Sequence, residues 1–205
     1  MRLEFIEVDH RDALSELAKA NINLYGPLYI TTDRISSYNF TNPIGEVDMC
    51  GIWRSSENKH LQHLPQTENF NDLKKHNYQV TILAESCSED FAFNILNLAE
   101  ENITICESFD EILERLTLSS IKRGAHLTLC DELTAKRLES ELPDSLQVKS
   151  FKNSRKTRYP IAFAIDSQHS WLINKLSEAY NFISDRGLTK EILTKHSLEK
   201  TIKQI

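Results

Sequence analysis

Between residues 79 and 142 the sequence alternates short apolar runs with helix-start signals, and this rhythm restricts the possible folds more than any other feature. Residues 79–84 read as a buried strand, after which Ser86 and Glu89 form a capping-box pattern that predicts a helix through about residue 100. A strand at 103–106 follows. Ser108 with Glu111 then repeats the capping pattern ahead of Ile112, Leu113 and Leu116. Gly124 breaks the chain before a strand at 125–130, a helix over about 133–142 and a strand at 146–151. Strands of about 4 to 8 residues alternating with helices of about 10 to 15 predict an α/β protein with mostly parallel sheets covered on both faces.

The flanking segments carry the same signals. Residues 3–8 read as a strand, and Asp9 as the N-cap of a helix with Ala13, Leu14, Leu17 and Ala18 on one face. Residues 22–25 and 28–30 are strand-like around the turn signal Gly26-Pro27, and 49–53 read as extended. Residues 54–77 are polar and rich in histidine, with a short helix at 70–75. A strand at 159–165 and helices at about 169–184 and 189–200 close the chain. The two extended crossings near 49–54 and 158–164 make the middle segment an inserted lobe on a two-strand hinge, dividing the chain into residues 1–53 with 159–205 and residues 54–158. Such an architecture takes a ligand between its lobes.

Composition excludes several function classes. The chain has 205 residues and a net charge of −6, with acids and bases interspersed, which argues against a general binder of nucleic acid or anionic membrane. Its apolar runs fall short of the roughly 18 residues a membrane span needs, and the acids in MRLEFIEVDH are foreign to a secretory signal. Cys50, Cys87, Cys106 and Cys130 lie far apart without a CxxC pair. Their spacing implies no disulfide framework and no structural zinc site, and the expectation is buried free thiols. No GxSxG, HExxH, phosphate-loop or dinucleotide motif occurs, so no catalytic residue, metal or cofactor is assigned. His60 and His63 lack a third ligand. The basic run Lys149, Lys152, Arg155, Lys156 and Arg158 reads as a solvated loop.

The segment LYITTDRISSYNFTNPI, residues 28–44, resembles the first-lobe signature of family 3 periplasmic solute-binding proteins, the binders of polar amino acids: a strand, T-x-x-R, then F-[ST]-x-P. DALSELAKANINLYG ahead of it is similar to the family's helix, turn and strand. YQVTILAESCSEDFA resembles the opening of the family's second lobe. FDEILERLTLSSIKRGAHLTLCDELTAKRL, YPIAFAI and NKLSEAYNFISDRGLTKEILTKH resemble its later elements, in order. The resemblance implies a two-lobed type II periplasmic-binding-protein-like fold whose first lobe lacks the family's opening strand, aromatic loop and helix. An incomplete sheet of that kind leads to the expectation of a homodimer or other partner covering it.

The resemblance also assigns a ligand site. Thr31 and Arg34 match T-x-x-R, whose arginine holds a ligand α-carboxylate with its planar fork. A structural ion pair from Arg34 to Asp33, Asp48 or another acid is the competing role. Ser86, Cys87 and Ser88 match the residues where the family meets the same carboxylate with G-T or G-T-T; here the glycine is replaced and Glu85 brings a negative charge. Ser86 fits a plain helix cap equally well. Asp131 matches the acid that pairs with the α-amino group, and it fits equally an N-cap for the following helix. The implied function is a solute-binding protein, for transport with an ABC transporter or for sensing, that takes a small amino-acid-like ligand. The alternatives are a dehydratase of the cyclohexadienyl or arogenate type and a non-binding oligomeric scaffold. The resemblance implies the periplasm, whereas the lack of a signal in this sequence and the unpaired cysteines fit the cytoplasm.

Overall fold

The computed structural model describes residues 4–8, 10–54, 73, 78–118, 124–139, 141–143, 145–150 and 157–195. The chain is a mixed α/β protein that divides into two compact units, residues 1–46 with 160–205 and residues 47–159. The chain passes from one unit to the other within two of its strands, β3 (Gly45–Arg54) and β8 (Arg158–Ile165).

In the first unit, β8 pairs antiparallel with β1 (Leu24–Tyr29) and with β2 (Asn39–Phe40). Helix α1 (His10–Ala18) presents Ala13 and Leu17, four residues apart on one face and both fully buried. Leu17, Leu28 and Ala164 form a core flanked by Leu14, Ile22, Tyr25, Tyr38 and Phe40. Burial of a leucine side chain such as that of Leu17 contributes about 1.5–3 kcal/mol. The two strand-like runs around Gly26-Pro27 are one strand with an irregular register between Tyr25 and Leu28. Gly26 has φ +136°, and a Cβ there would lie 3.0 Å from the Leu28 nitrogen and 3.2 Å from the Ala162 carbonyl oxygen, so no other residue fits.

Residues after Thr31 form helix α2 (Thr32–Ser37). The Tyr38 hydroxyl donates to the Leu14 carbonyl, which ties the end of α2 to α1. Helix α6 (Leu172–Asp185) holds the segment after β2: the Tyr180 hydroxyl donates to the Ile44 carbonyl at 2.6 Å, and Asn42 N donates to Ser177 Oγ. Helix α7 (Leu188–Lys195) follows α6.

The strand expected at residues 3–8 is not formed in the described part, residues 4–8. Phe5 is 93% exposed and Ile6 60%. A strand needs a neighbour for its N–H and C=O groups, and among the described residues none pairs with this stretch. Asp9 and most of residues 54–77 lie outside the described residues, as do His60, His63 and residues 151–156 of the basic run.

The second unit has strand order β7-β3-β6-β4-β5, where β4 is Val80–Leu83, β5 Ile103–Cys106, β6 Leu127–Asp131 and β7 Leu146–Ser150. β4 is parallel to β5 and β6, whereas β3 is antiparallel to β6 and β7. The parallel expectation therefore holds for the β-α-β centre alone. The described strand pairs of the first unit and the β3 pairs are antiparallel. Helices α4 (Phe109–Thr117) and α5 (Glu132–Glu139) cover one face, burying Ile112, Leu116, Ala135 and Leu138 against Cys50, Ile52, Cys106 and Cys130.

Both capping boxes form, with the glutamate reaching one residue further back than the pattern's usual target. Ser108 Oγ accepts from Glu111 N, and Glu111 Oε2 accepts from Glu107 N. Ser86 starts α3 (Cys87–Asp90) and Glu89 Oε2 accepts from Glu85 N. The expected helix through residue 100 stops earlier. A π turn spans Phe91–Ile95, and Asn97 adopts φ +50°, the left-handed conformation that ends helices and that asparagine tolerates.

Candidate functional site

In the first unit, Thr31 and Arg34 come together at the start of α2, directly after β1. Thr31 is 5% exposed and occupies the N-cap position in an extended conformation (φ −104°, ψ 164°), yet its side chain makes no capping bond. Threonine at this position normally binds a backbone N–H of the first turn. The half-buried Arg34 donates from Nη1 to the Tyr29 carbonyl at 3.1 Å, at the end of β1. That bond orients the guanidinium. Its five donors can bind a carbonyl and a carboxylate at once. Asp48, one acid considered as its partner, is buried and accepts from Arg158 Nε at 3.2 Å.

In the second unit, Ser86, Ser88 and Asp131 come to one edge of the sheet. β4 and β6 are adjacent and parallel, so residues 86–88, which follow β4, and Asp131, the last residue of β6, lie at the same carboxyl edge. From β4 the chain goes to β5 on one side and then to β6 on the other, which makes the gap between β4 and β6 the point where strand order reverses. In open α/β sheets that edge is where ligands bind.

The side chains at this edge are engaged locally. Ser86 Oγ lies 2.7 Å from the Leu83 carbonyl oxygen, which can only accept, so its proton goes there. It also accepts from Ser88 N at 3.2 Å and is in contact with Ser88 Oγ. With the Ser86 proton assigned, the proton between the two hydroxyls is that of Ser88. Ser86 is thus saturated, and the buried Ser88 hydroxyl offers lone pairs rather than a donor. Asp131, 7% exposed, accepts from Thr134 N at 2.9 Å through Oδ1 and from Thr134 Oγ1 at 2.7 Å through Oδ2. It caps α5, and each oxygen retains one further lone pair. Glu85 has φ +54°, a conformation at home in glycine and strained in glutamate.

Three polar constellations escaped the sequence reading because their members are distant in the chain. Tyr159 donates to Asp90 Oδ2 at 2.6 Å, and Asn94 Nδ2 donates to Asp90 Oδ1 at 2.8 Å, in the second unit. Burial first, then the Asp90 carboxylate, pushes the Tyr159 hydroxyl well above its ordinary value, so it stays protonated as the donor. The Asp48–Arg158 pair is the second; Arg158, expected in a solvated loop, belongs to β8 and to this ion pair. The third is in the first unit, where Asp166 accepts from Gln168 N, His169 N and Asn23 Nδ2 and contacts His169 Nδ1. Burial raises the Asp166 pKa, but the bonds from His169, Asn23 and Gln168 outweigh it and hold the carboxyl below its usual range. Among the described residues no group of three His, Cys, Asp or Glu side chains is arranged to hold a metal ion, and no helix is long and apolar enough to cross a membrane.

No protein-family model and no curated protein sequence matches the chain. Solved structures do. An ABC uptake transporter substrate-binding protein from Streptococcus pneumoniae with bound histidine superposes with a TM-score of 0.66 at 19% identity, covering 92% of this chain and 73% of the other. An ancestral arginine-binding protein bound to glutamine gives 0.70 at 18%, covering 96% and 80%. The chain has the solute-binding-protein fold. A third structure of this fold, an ancestral amino-acid-binding protein that is a precursor of cyclohexadienyl dehydratase, gives 0.69 at 18% identity and covers 94% and 76%. The α/β, two-lobed architecture inferred from the order of the motifs is thus the observed one. At identities this low the likeness is one of fold.

Proposed function

We propose that the protein is a solute-binding protein, in transport or sensing, for a small amino-acid-like ligand whose carboxylate is held by Arg34 and Thr31. The observation that carries this reading is the start of α2. The hydroxyl of a buried threonine, which does not cap its helix, lies three residues before an arginine whose guanidinium donates to a backbone carbonyl. Asp131, in the second unit, keeps lone pairs beyond those that Thr134 uses, which suit an ammonium group. Ser86 and Ser88 would contribute only after their hydroxyl pair reorients, so the carboxylate depends chiefly on the first unit.

The neighbouring structures with histidine and with glutamine bound support an amino acid as ligand. On this reading the protein works in the periplasm beside a membrane transporter or sensor. Ile35, Trp171, Phe182, Leu188 and Ile192 of the first unit are each more than 40% exposed, which supports a protein partner or a second copy of the chain on that unit. Light scattering of a stable monomer that binds no hydrophobic dye would remove the partner from the proposal. Calorimetric titration with arginine, lysine, histidine and glutamine tests the ligand class. Binding of at least one is expected, and Arg34→Ala should abolish it while leaving the circular dichroism spectrum unchanged.

A further inference from the structure

We propose that Cys50 and Cys130 form a disulfide that clips β3 to β6 in the second unit when the chain folds under oxidising conditions. The two residues are directly opposed in the antiparallel β3–β6 register, and their Sγ atoms are 3.6 Å apart. Opposed residues of an antiparallel pair have Cα atoms about 4.5 or 5.5 Å apart, within the span of about 4.4–6.8 Å that a disulfide bridges. Closing from 3.6 Å to a bond of about 2.05 Å needs rotation of two side chains and no slip of either strand.

The other two thiols are excluded by topology. Cys106 is on β5, separated from β6 by β4. At about 4.8 Å per strand it lies too far from Cys130 to bond. Cys87 contacts Met49, and successive residues of a strand point to opposite faces, so Cys87 lies on the opposite side of β3 from Cys50.

The reaction is thiol–disulfide exchange with an external disulfide such as oxidised glutathione. A Cys50 or Cys130 thiolate attacks one sulfur of the oxidant, forming a mixed disulfide and releasing one thiol. The second protein thiolate then attacks the protein sulfur and releases the other. Two protein thiols are oxidised, the external disulfide is reduced to two thiols, and the two protons end on these. In the folded unit, the neighbouring Cys130 thiol and then burial push the Cys50 thiol upward. The folded Cys50 thiol is therefore a poor nucleophile, and the bond forms during folding. The inference rests on the functional reading above only for the oxidising compartment, and its test uses no ligand.

The full chain is reduced, unfolded, refolded with reduced and oxidised glutathione, and alkylated, and its peptides are mapped by mass spectrometry without reduction. The expected result is two of the four thiols protected and one cross-linked peptide pair containing Cys50 and Cys130. The thermal midpoint should stand several degrees above that of the reduced protein, fall back with a dithiol reductant, and show no such difference in Cys50→Ala. Should that variant fail to fold, the peptide map of the parent decides. Four alkylated thiols, a bridge through Cys87 or Cys106, or glutathione adducts alone would overturn the proposal, and none of these bears on ligand binding.

Discussion

The two units place family-like residues after parallel and antiparallel strands alike, but they treat them differently. At the start of α2 in the first unit, Thr31 leaves its helix uncapped and Arg34 is oriented by a carbonyl. At the β4/β6 edge of the second unit, Ser86, Ser88 and Asp131 are tied into their own turns and helix starts. Capping side chains stabilise the scaffold that holds them. Side chains that leave caps unmade point to another partner. The contrast supports the proposal that carboxylate recognition falls chiefly to the first unit, and it gives Ser86, Ser88 and Asp131 structural duties in the second.

The widest contrast is between Arg34→Ala and Ser86→Ala. Truncating one partner of a hydrogen-bonded charge pair costs about 2–5 kcal/mol, so Arg34→Ala should weaken ligand binding by at least about 30-fold with little loss of stability. Ser86→Ala should do the reverse, leaving affinity near the parent's while lowering stability by about 1 kcal/mol. Calorimetry and denaturant titration on both variants would break the comparison if the effects were exchanged.

Asp166→Ala removes a buried carboxylate with several partners and should destabilise the first unit by about 3 kcal/mol. Because the folded pKa of Asp166 is lowered, its contribution is present above the ordinary carboxylate pKa of about 3.9 and lost as pH falls through the lower folded value. An acid limb of unfolding that is absent in Asp166→Asn is the expected sign. Asp131→Ala should cost about 1–2 kcal/mol through the lost cap, whereas Asp131→Asn should retain most of the stability and weaken binding of an ammonium ligand. Stability alone responding to both changes would leave Asp131 purely structural.

Two smaller effects sharpen the second unit's side. Glu85→Gly relieves a left-handed glutamate and removes a negative charge from the start of α3, so stability should rise by up to about 1 kcal/mol and affinity for a carboxylate should increase. Loss of stability would show that the Glu85 side chain is needed where it stands. Burial lowers the His126 pKa, and its Nδ1 accepts from Gln79 N at 2.9 Å, a role the protonated ring cannot fill. The bond should be intact above about pH 6.5 and lost as pH falls through the lowered folded value. Hydrogen exchange at the Gln79 amide would register this as faster opening at pH 5 than at pH 7.

Much of the fold was legible because its signals are local. The strand at 103–106 is where the apolar run lies, and Ser86 and Ser108 start helices for the reason their capping patterns indicate. Residues 3–8 misled because alternation describes a strand's faces and says nothing of whether a neighbour exists. The antiparallel course of β3 and the 80-residue separation of Cys50 and Cys130 are products of topology, which spacing does not encode. Thr31 and Arg34 stood out through motif order rather than through any physical signature of their own. That Ser86 is saturated, or that Thr31 leaves its helix uncapped, depends on distances of a few tenths of an ångström.

The central claim is that a ligand carboxylate is held from the first unit. Calorimetric titration of the parent protein with arginine, lysine, histidine and glutamine, each beside its α-carboxamide, tests it most directly. At least one free amino acid should bind, and its carboxamide should bind at least about 30-fold more weakly, as expected for loss of a charge-assisted pair. Equal affinity for acid and amide, or no heat from any of the four in a folded sample, would contradict it.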